Sequence, residues 1–234
     1  LTLLFIHEAK KVPEQRISLK AHLKTGFVFL KSSPTVILLA LSLMLSGLFI
    51  APVEAYWQPA YTSLLPGSSL LFTVGLLSFG TFAFAALGTL FTKRFVLSSE
   101  NSLGVKFTVS RLLLFAVFVI LSFQHSYLAF GGVFMLMYFL FSGSEVVAST
   151  MLNLQVPASL RASMLSLVSL FFQAGCMLSP LFSSAAVAKT TVGTLWLYLG
   201  VALIILTLIT GPLLIRQSRK SAAISRCQDA GPAQ

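Results

Sequence analysis

Charge is what this sequence has least of: 9% of its 234 residues are Asp, Glu, Lys or Arg, and only six are acidic. A soluble domain carries about 25% charged residues, which excludes a water-facing surface for most of this chain. Cysteine is nearly as scarce. Cys176 lies in an apolar run and Cys227 near the end, which excludes a disulfide framework and a thiolate metal site. The three histidines, His7, His22 and His125, all fall in polar segments, so no pair of imidazoles is placed among the apolar runs for haem or metal. The phrase Ser142-Gly143-Ser144-Glu145 offers a serine nucleophile, but no histidine follows it to act as base. Neither an enzyme nor a cofactor is expected.

What the chain has instead is oil. It is 56% hydrophobic, with a mean hydropathy of +0.92. The apolar stretches are continuous, without period-two alternation, so they read as membrane helices and not as barrel strands. A span needs about 20 mostly apolar residues, and six runs qualify: Thr35–Tyr56, Leu70–Thr92, Phe107–Phe123, Tyr127–Thr150, Ser163–Val187 and Val192–Ile215. The fold expected is an all-α membrane protein with its six-helix body over residues 34–215. Residues 1–33 read as the end of a preceding helix (Leu1–Ile6) followed by a basic cytoplasmic linker, and 216–234 as a disordered cytoplasmic tail. The opening LTLLFI, without a methionine, reads as part of something longer.

The net charge of +10 would suggest nucleic acid in a soluble protein. Here its placement points to a lipid bilayer as the partner, and no nucleic-acid motif is present. All but two of the 16 Lys and Arg fall in segments on one side of the predicted spans; the exceptions are Lys189 and Arg111. This positive-inside bias puts both termini in the cytoplasm of a multi-pass protein of the cell membrane.

The six spans are not alike. On the first, Ser42, Ser46, Glu54 and Gln58 share a helical stripe completed by Ile50. On the fourth, Tyr138, Ser142, Glu145 and Ser149 do so, and on the fifth, Ser166, Ser169, Gln173, Cys176, Pro180 and Ser184. The second carries Thr73, Gly80, Gly88 and Thr92, while the third beyond Arg111 and the sixth are almost wholly apolar. Polar stripes in a bilayer turn toward protein or water, and uniformly apolar helices can face lipid. The order is thus lined, lined, lipid, twice over: two three-helix repeats of opposite topology, as in secondary transporters.

The turn Asn153–Leu167, NLQVPASLRASMLSL, separates the fourth span from the fifth. Pro157 stops a helix and pushes Val156 toward extended backbone, Ser159 is placed to cap the next helix, and Arg161 lies within reach of lipid phosphates. This run resembles the loop between the tenth and eleventh helices of Major Facilitator Superfamily transporters of the drug-efflux type, with Ala162 where many members have Gly. Gly88-Thr-Leu-Phe-Thr92-Lys93-Arg94 is similar to a degenerate copy of that family's G-x-x-x-D-x-x-G-R-R gating motif, with Thr92 at the Asp position. The resemblance implies the C-terminal half of such a transporter, with the first and fourth helices lining a cavity and the second and fifth facing a missing N-terminal six-helix half. It further implies a small-molecule substrate and protons as partners, and Lys93, Arg94, Arg111 and Arg161 at the cytoplasmic gate or loops.

Several residues carry alternatives. Glu145 and Arg111 lie roughly 8 Å and 6 Å from the inner ends of their spans, so they could pair. Because the third span reads as peripheral, the expectation is that Arg111 snorkels to headgroups while Glu145 faces the cavity, taking up a proton, binding a cation or closing a polar network. Glu54 falls near the outer mouth, where Pro52 would free a carbonyl to a cavity or water. Tyr56 and Trp57 could receive aromatic or cationic substrates there, or belong to an interfacial belt. Gln173 reads as facing the partner half or as an interhelical hydrogen bond. The charge bias predicts that, without the native cysteines, Ser98→Cys and His125→Cys variants respond oppositely to a membrane-impermeant maleimide. Intact cells should label His125→Cys alone; labelling of Ser98→Cys would reverse the orientation.

Overall fold

The structure, a computed structural model, describes residues 28–67, 70–98 and 102–229. The expectations for Leu1–Ile6 and for the basic linker up to residue 27 lie outside the described residues. Among those described there is no strand, and six helices are long and apolar enough to cross a membrane. The chain is a multi-pass membrane protein. The helices are α1 (Pro34–Thr62), α2 (Phe72–Phe91), α3 (Leu103–Leu121), α4 (Tyr127–Gln155), α5 (Arg161–Val187) and α6 (Val192–Asp229).

Local chemistry sets most of the ends. Pro34 opens α1 after Ser33, whose backbone is extended, a position where the missing amide hydrogen costs nothing. Val156, before Pro157, is extended at φ −109° and ψ 128°, and α4 stops there as expected. Ser159 does not cap α5. The Pro157 carbonyl accepts from the Leu160 amide at 3.0 Å, which folds Ala158–Leu160 into a 3-10 turn and places Leu160 before the first residue of α5. α2 ends in a π-helical turn over Thr92–Val96, where the Leu97 amide reaches the Thr92 carbonyl. The tail expected to be irregular is helical through Asp229; no glycine or proline interrupts Ile215–Asp229, so nothing there breaks the helix that the span begins.

Four helices close a ring, α1–α4–α3–α6, each packed on the next. α2 is seated almost entirely on α4, and α5 almost entirely on α1. These two flanking seams are built alike. A side chain at Gly47 of α1 would strike the Phe172 carbonyl of α5, and one at Gly175 of α5 would strike the Met44 carbonyl of α1. A side chain at Gly88 of α2 would strike the Phe139 carbonyl, and Gly143 of α4 leaves room for Thr92. In hydrocarbon, helices gain no hydrophobic energy by meeting, so small residues that let backbones touch do the work of association.

Pro52 sits inside α1 without breaking it. Having no amide hydrogen, it frees the carbonyl four residues back, Leu48. That carbonyl is taken up by α5: the Ser179 hydroxyl donates to it at 3.0 Å. One helix's lost hydrogen bond becomes a tie to its neighbour.

Two clusters fill the ring. At one end are aromatics, Phe49, Trp57, Phe118, Phe130, Phe134 and Trp196 among them; at the other are aliphatics such as Val36, Leu39, Val147 and Met164. α3 is not simply peripheral. Phe107, Arg111, Leu114 and Phe118 form an inward stripe, while Val109, Leu113 and Ile120 form an outward one. α2 is the helix most open to the surroundings, and α5 and α6 follow it equally, with Phe82 and Met177 over three-quarters exposed. Replacing Gly175 by leucine should force α5 off α1 and cost about 1–3 kcal/mol, read as a lowered midpoint of thermal unfolding in detergent. Met177→Leu, on the open face of the same helix, should leave the midpoint unchanged.

Candidate functional site

The charges expected to separate are joined. The Arg111 guanidinium of α3 donates through Nη2 to Glu145 Oε1 of α4 at 2.9 Å. From helix starts and ends at Leu103 and Gln155, they lie about 12 Å and 15 Å along their helices from the same end of the bundle. Their depths therefore match. Arg111 does not snorkel, because its stripe on α3 turns into the ring and offers no path to headgroups. Only 1% of its side chain is exposed, against 35% for Glu145.

The pair is unevenly provided for. Arg111 has the Phe107 ring 5.0 Å from its carbon centre, a favourable cation–π arrangement. Its Nε and Nη1 are buried and find no hydrogen-bond partner. A guanidinium so placed depends on its one carboxylate, since stranding a buried charge costs several kcal/mol.

Glu145 opens on its other side into a hollow of about 310 Å³ between α1, α4 and α5. Ser149 and Ser169 add hydroxyls to the lining, and Leu43, Phe141 and Phe172 supply apolar wall. A single carboxylate in an otherwise oily, open-sided chamber is suited to an amphiphile bearing one positive charge or a proton donor.

The other expected residues divide. Glu54 and Tyr138 come together, the Tyr138 hydroxyl donating to Glu54 Oε1 and tying α4 to α1 toward the aromatic end. Trp57 is neither a landing platform nor an interfacial belt residue: it is 6% exposed and stacked on Phe134 with centroids 5.2 Å apart. Ser46 is buried and bonded to the Ser42 carbonyl of its own helix, so it does not line a cavity. Ser142 turns to α2, donating to the Ala85 carbonyl at 2.6 Å and meeting the Thr89 hydroxyl at 2.5 Å. Gln173 is exposed on α5. Lys93 and Arg94 are exposed on the π-helical turn, and Thr92 beside them is buried against α4. Arg161 folds back on the turn, donating to the Asn153 carbonyl at 3.3 Å.

Ser149 and Ser169 were legible as members of polar stripes, but their partnership in one hollow was not. Comparison with protein families, with curated proteins and with solved structures found no match for this chain.

The asymmetry of the pair gives a ranking. Glu145→Gln strands a fully enclosed guanidinium and should destabilise by about 3–5 kcal/mol. Arg111→Met leaves a carboxylate that can still meet water in the hollow, and should cost less. The double variant should recover most of the loss in thermal unfolding.

Proposed function

We propose that this chain is the C-terminal six-helix half of a secondary active transporter of the Major Facilitator kind, exporting drugs or small metabolites in exchange for protons. The observation that carries the reading is Glu145, open to a chamber with mainly apolar walls on one side and gripped by an otherwise unsatisfied Arg111 on the other. A charge this costly in hydrocarbon is ordinarily functional. Arg111 offers the carboxylate a partner in one state, and a proton or cationic solute offers it another. Differential binding to inward- and outward-open states then shifts their populations, and the proton gradient supplies direction.

Helix packing supports the two-repeat reading. Exchanging α1–α3 with α4–α6 carries the α1–α5 seam onto α4–α2 and the α1–α6 contact onto α4–α3, and returns α3–α6 to itself. Three spans reverse the direction of travel, so the halves so related are inverted, as in transporters. In this reading the open flanks of α2 and α5 meet the N-terminal half, and Glu54–Tyr138 latches the outer mouth. The charge bias of the basic segments supports a cell-membrane orientation with both termini on the cytoplasmic side.

An uptake symporter for a small organic solute would use the same parts, and a non-transporting membrane subunit would have no use for the exposed side of Glu145. The test is flux of a lipophilic fluorescent cation in inverted vesicles carrying the complete protein. A pH gradient imposed acid-inside should drive accumulation, and Glu145→Gln should abolish its dependence on the gradient. Gradient-dependent flux that survives the substitution would remove Glu145 from coupling, and flux in the opposite sense would favour the symporter.

A further inference from the structure

A hollow of about 390 Å³, separate from the one that Glu145 faces, lies at the aromatic end of the bundle, where α1 and α3 finish and α6 begins. Leu64, Leu121 and Phe130 give it apolar walls. His125 is the only ionisable residue among the described residues of its lining, so no carboxylate faces it.

Acceptors and donors around this hollow are unequally served. The last carbonyls of α1, Pro59 to Thr62, accept from Ser63, Leu64 and Leu65. Those of α3, Phe118 to Leu121, accept from Ser122, Phe123 and Gln124. At the start of α6 the Thr191 hydroxyl accepts from the Thr194 amide at 3.2 Å, and the Thr191 carbonyl from Leu195 at 3.0 Å. The amides of Val192 and Gly193, both in the lining, find no acceptor among the described residues. A helix start leaves such donors open.

The donor that points to a ligand is a side chain. Trp196 lines the same hollow three and four residues on from Gly193 and Val192, which sets all three on one face of α6. It is 2% exposed, and its indole Nε1 is buried without a hydrogen-bond partner. A buried indole N–H ordinarily meets an acceptor. The rings beside it, Phe118 and Phe130 with centroids 6.1 Å and 6.0 Å away, carry no acceptor atom.

The hollow therefore lacks acceptors and nothing else. A cation would meet N–H donors and no carboxylate. A water brings two lone pairs to three donors and gains nothing from the apolar walls. A carboxylate brings about four acceptor sites on two oxygens and is favoured by the positive pole of α6. We propose that the hollow binds an amphiphilic monocarboxylate, its carboxylate at Trp196 and the start of α6 and its apolar body against Leu121 and Phe130. The inference makes no use of Glu145 and stands whether or not the protein moves a solute.

The test is calorimetric titration of the complete protein in phosphatidylcholine nanodiscs at neutral pH, with heats from empty nanodiscs subtracted. Three probes share one apolar body: phenylbutyrate, phenylbutanol and phenylbutylammonium. Phenylbutyrate should bind saturably and about ten-fold or more tighter than the other two, the difference a charge-assisted hydrogen bond makes. Trp196→Phe keeps a ring and removes the N–H, and should weaken phenylbutyrate about ten-fold. Val192→Pro removes one backbone donor at a position where helices accept proline, and should weaken it as well. Met177→Leu, away from the hollow, should leave it unchanged. Absence of saturable binding would overturn the proposal, as would equal affinity for the three probes. An affinity unmoved by Trp196→Phe would do the same, since it would leave Nε1 to a water alone. Should Trp196→Phe fail to fold, Val192→Pro decides, and an unchanged affinity there would equally overturn it.

Discussion

Helices immersed in hydrocarbon have no water to drive them together, so what holds this protein is how closely its backbones can come. Gly47 with Gly175 and Gly88 with Gly143 bring α5 against α1 and α2 against α4 at distances no side chain would allow. Further glycines serve the α3–α6 face: Gly104 meets Ile215 and Ser218, and Gly211 meets Thr108. Serine hydroxyls then find carbonyls across the seams, Ser179 to Leu48 and Ser142 to Ala85. The placement of polar side chains follows from this closeness. Two serines expected to face a cavity are in fact absorbed into helix association or their own helix, and only the groups that the seams leave over are free for chemistry.

Arg111 and Glu145 are such a remainder. No solvent reaches the guanidinium, its stripe on α3 is otherwise apolar at Phe107, Leu114 and Phe118, and Glu145 is its sole counter-charge among the described residues. The carboxylate answers to two environments at once, a dry charge behind it and an open chamber before it. Arg111 engages Oε1 alone, so the second carboxylate oxygen is left to whatever enters the chamber.

The number, type and approximate extent of the helices were legible, because apolar run length and composition alone decide them. The stop at Pro157 was legible because proline acts on its immediate neighbour. The inward stripe of α3 was not. Phe107, Leu114 and Phe118 read no differently from Val109, Leu113 and Ile120, since lipid and protein core ask for the same apolar side chains. The Arg111–Glu145 bond was therefore open to two readings, and the one resting on a peripheral α3 failed with that premise. Trp57 was misplaced for a related reason: an aromatic near the end of a span suits the interface or the core equally by composition, and only its stacking on Phe134 decides. The helical course of Ile215–Asp229 shows the opposite limit, where polar composition suggested irregularity but no residue breaks the helix.

That last helix has a mechanical side. Its 38 residues reach about 57 Å, nearly twice the roughly 30 Å thickness of a bilayer's hydrocarbon. Pro212 lies inside it beside Gly211, so the projecting arm joins the span at a turn that lacks one backbone hydrogen bond. The contacts on either side of that turn, Gly104 with Ile215 and Ser218 and Gly211 with Thr108, are the ones that seat the arm on the helix that carries Arg111.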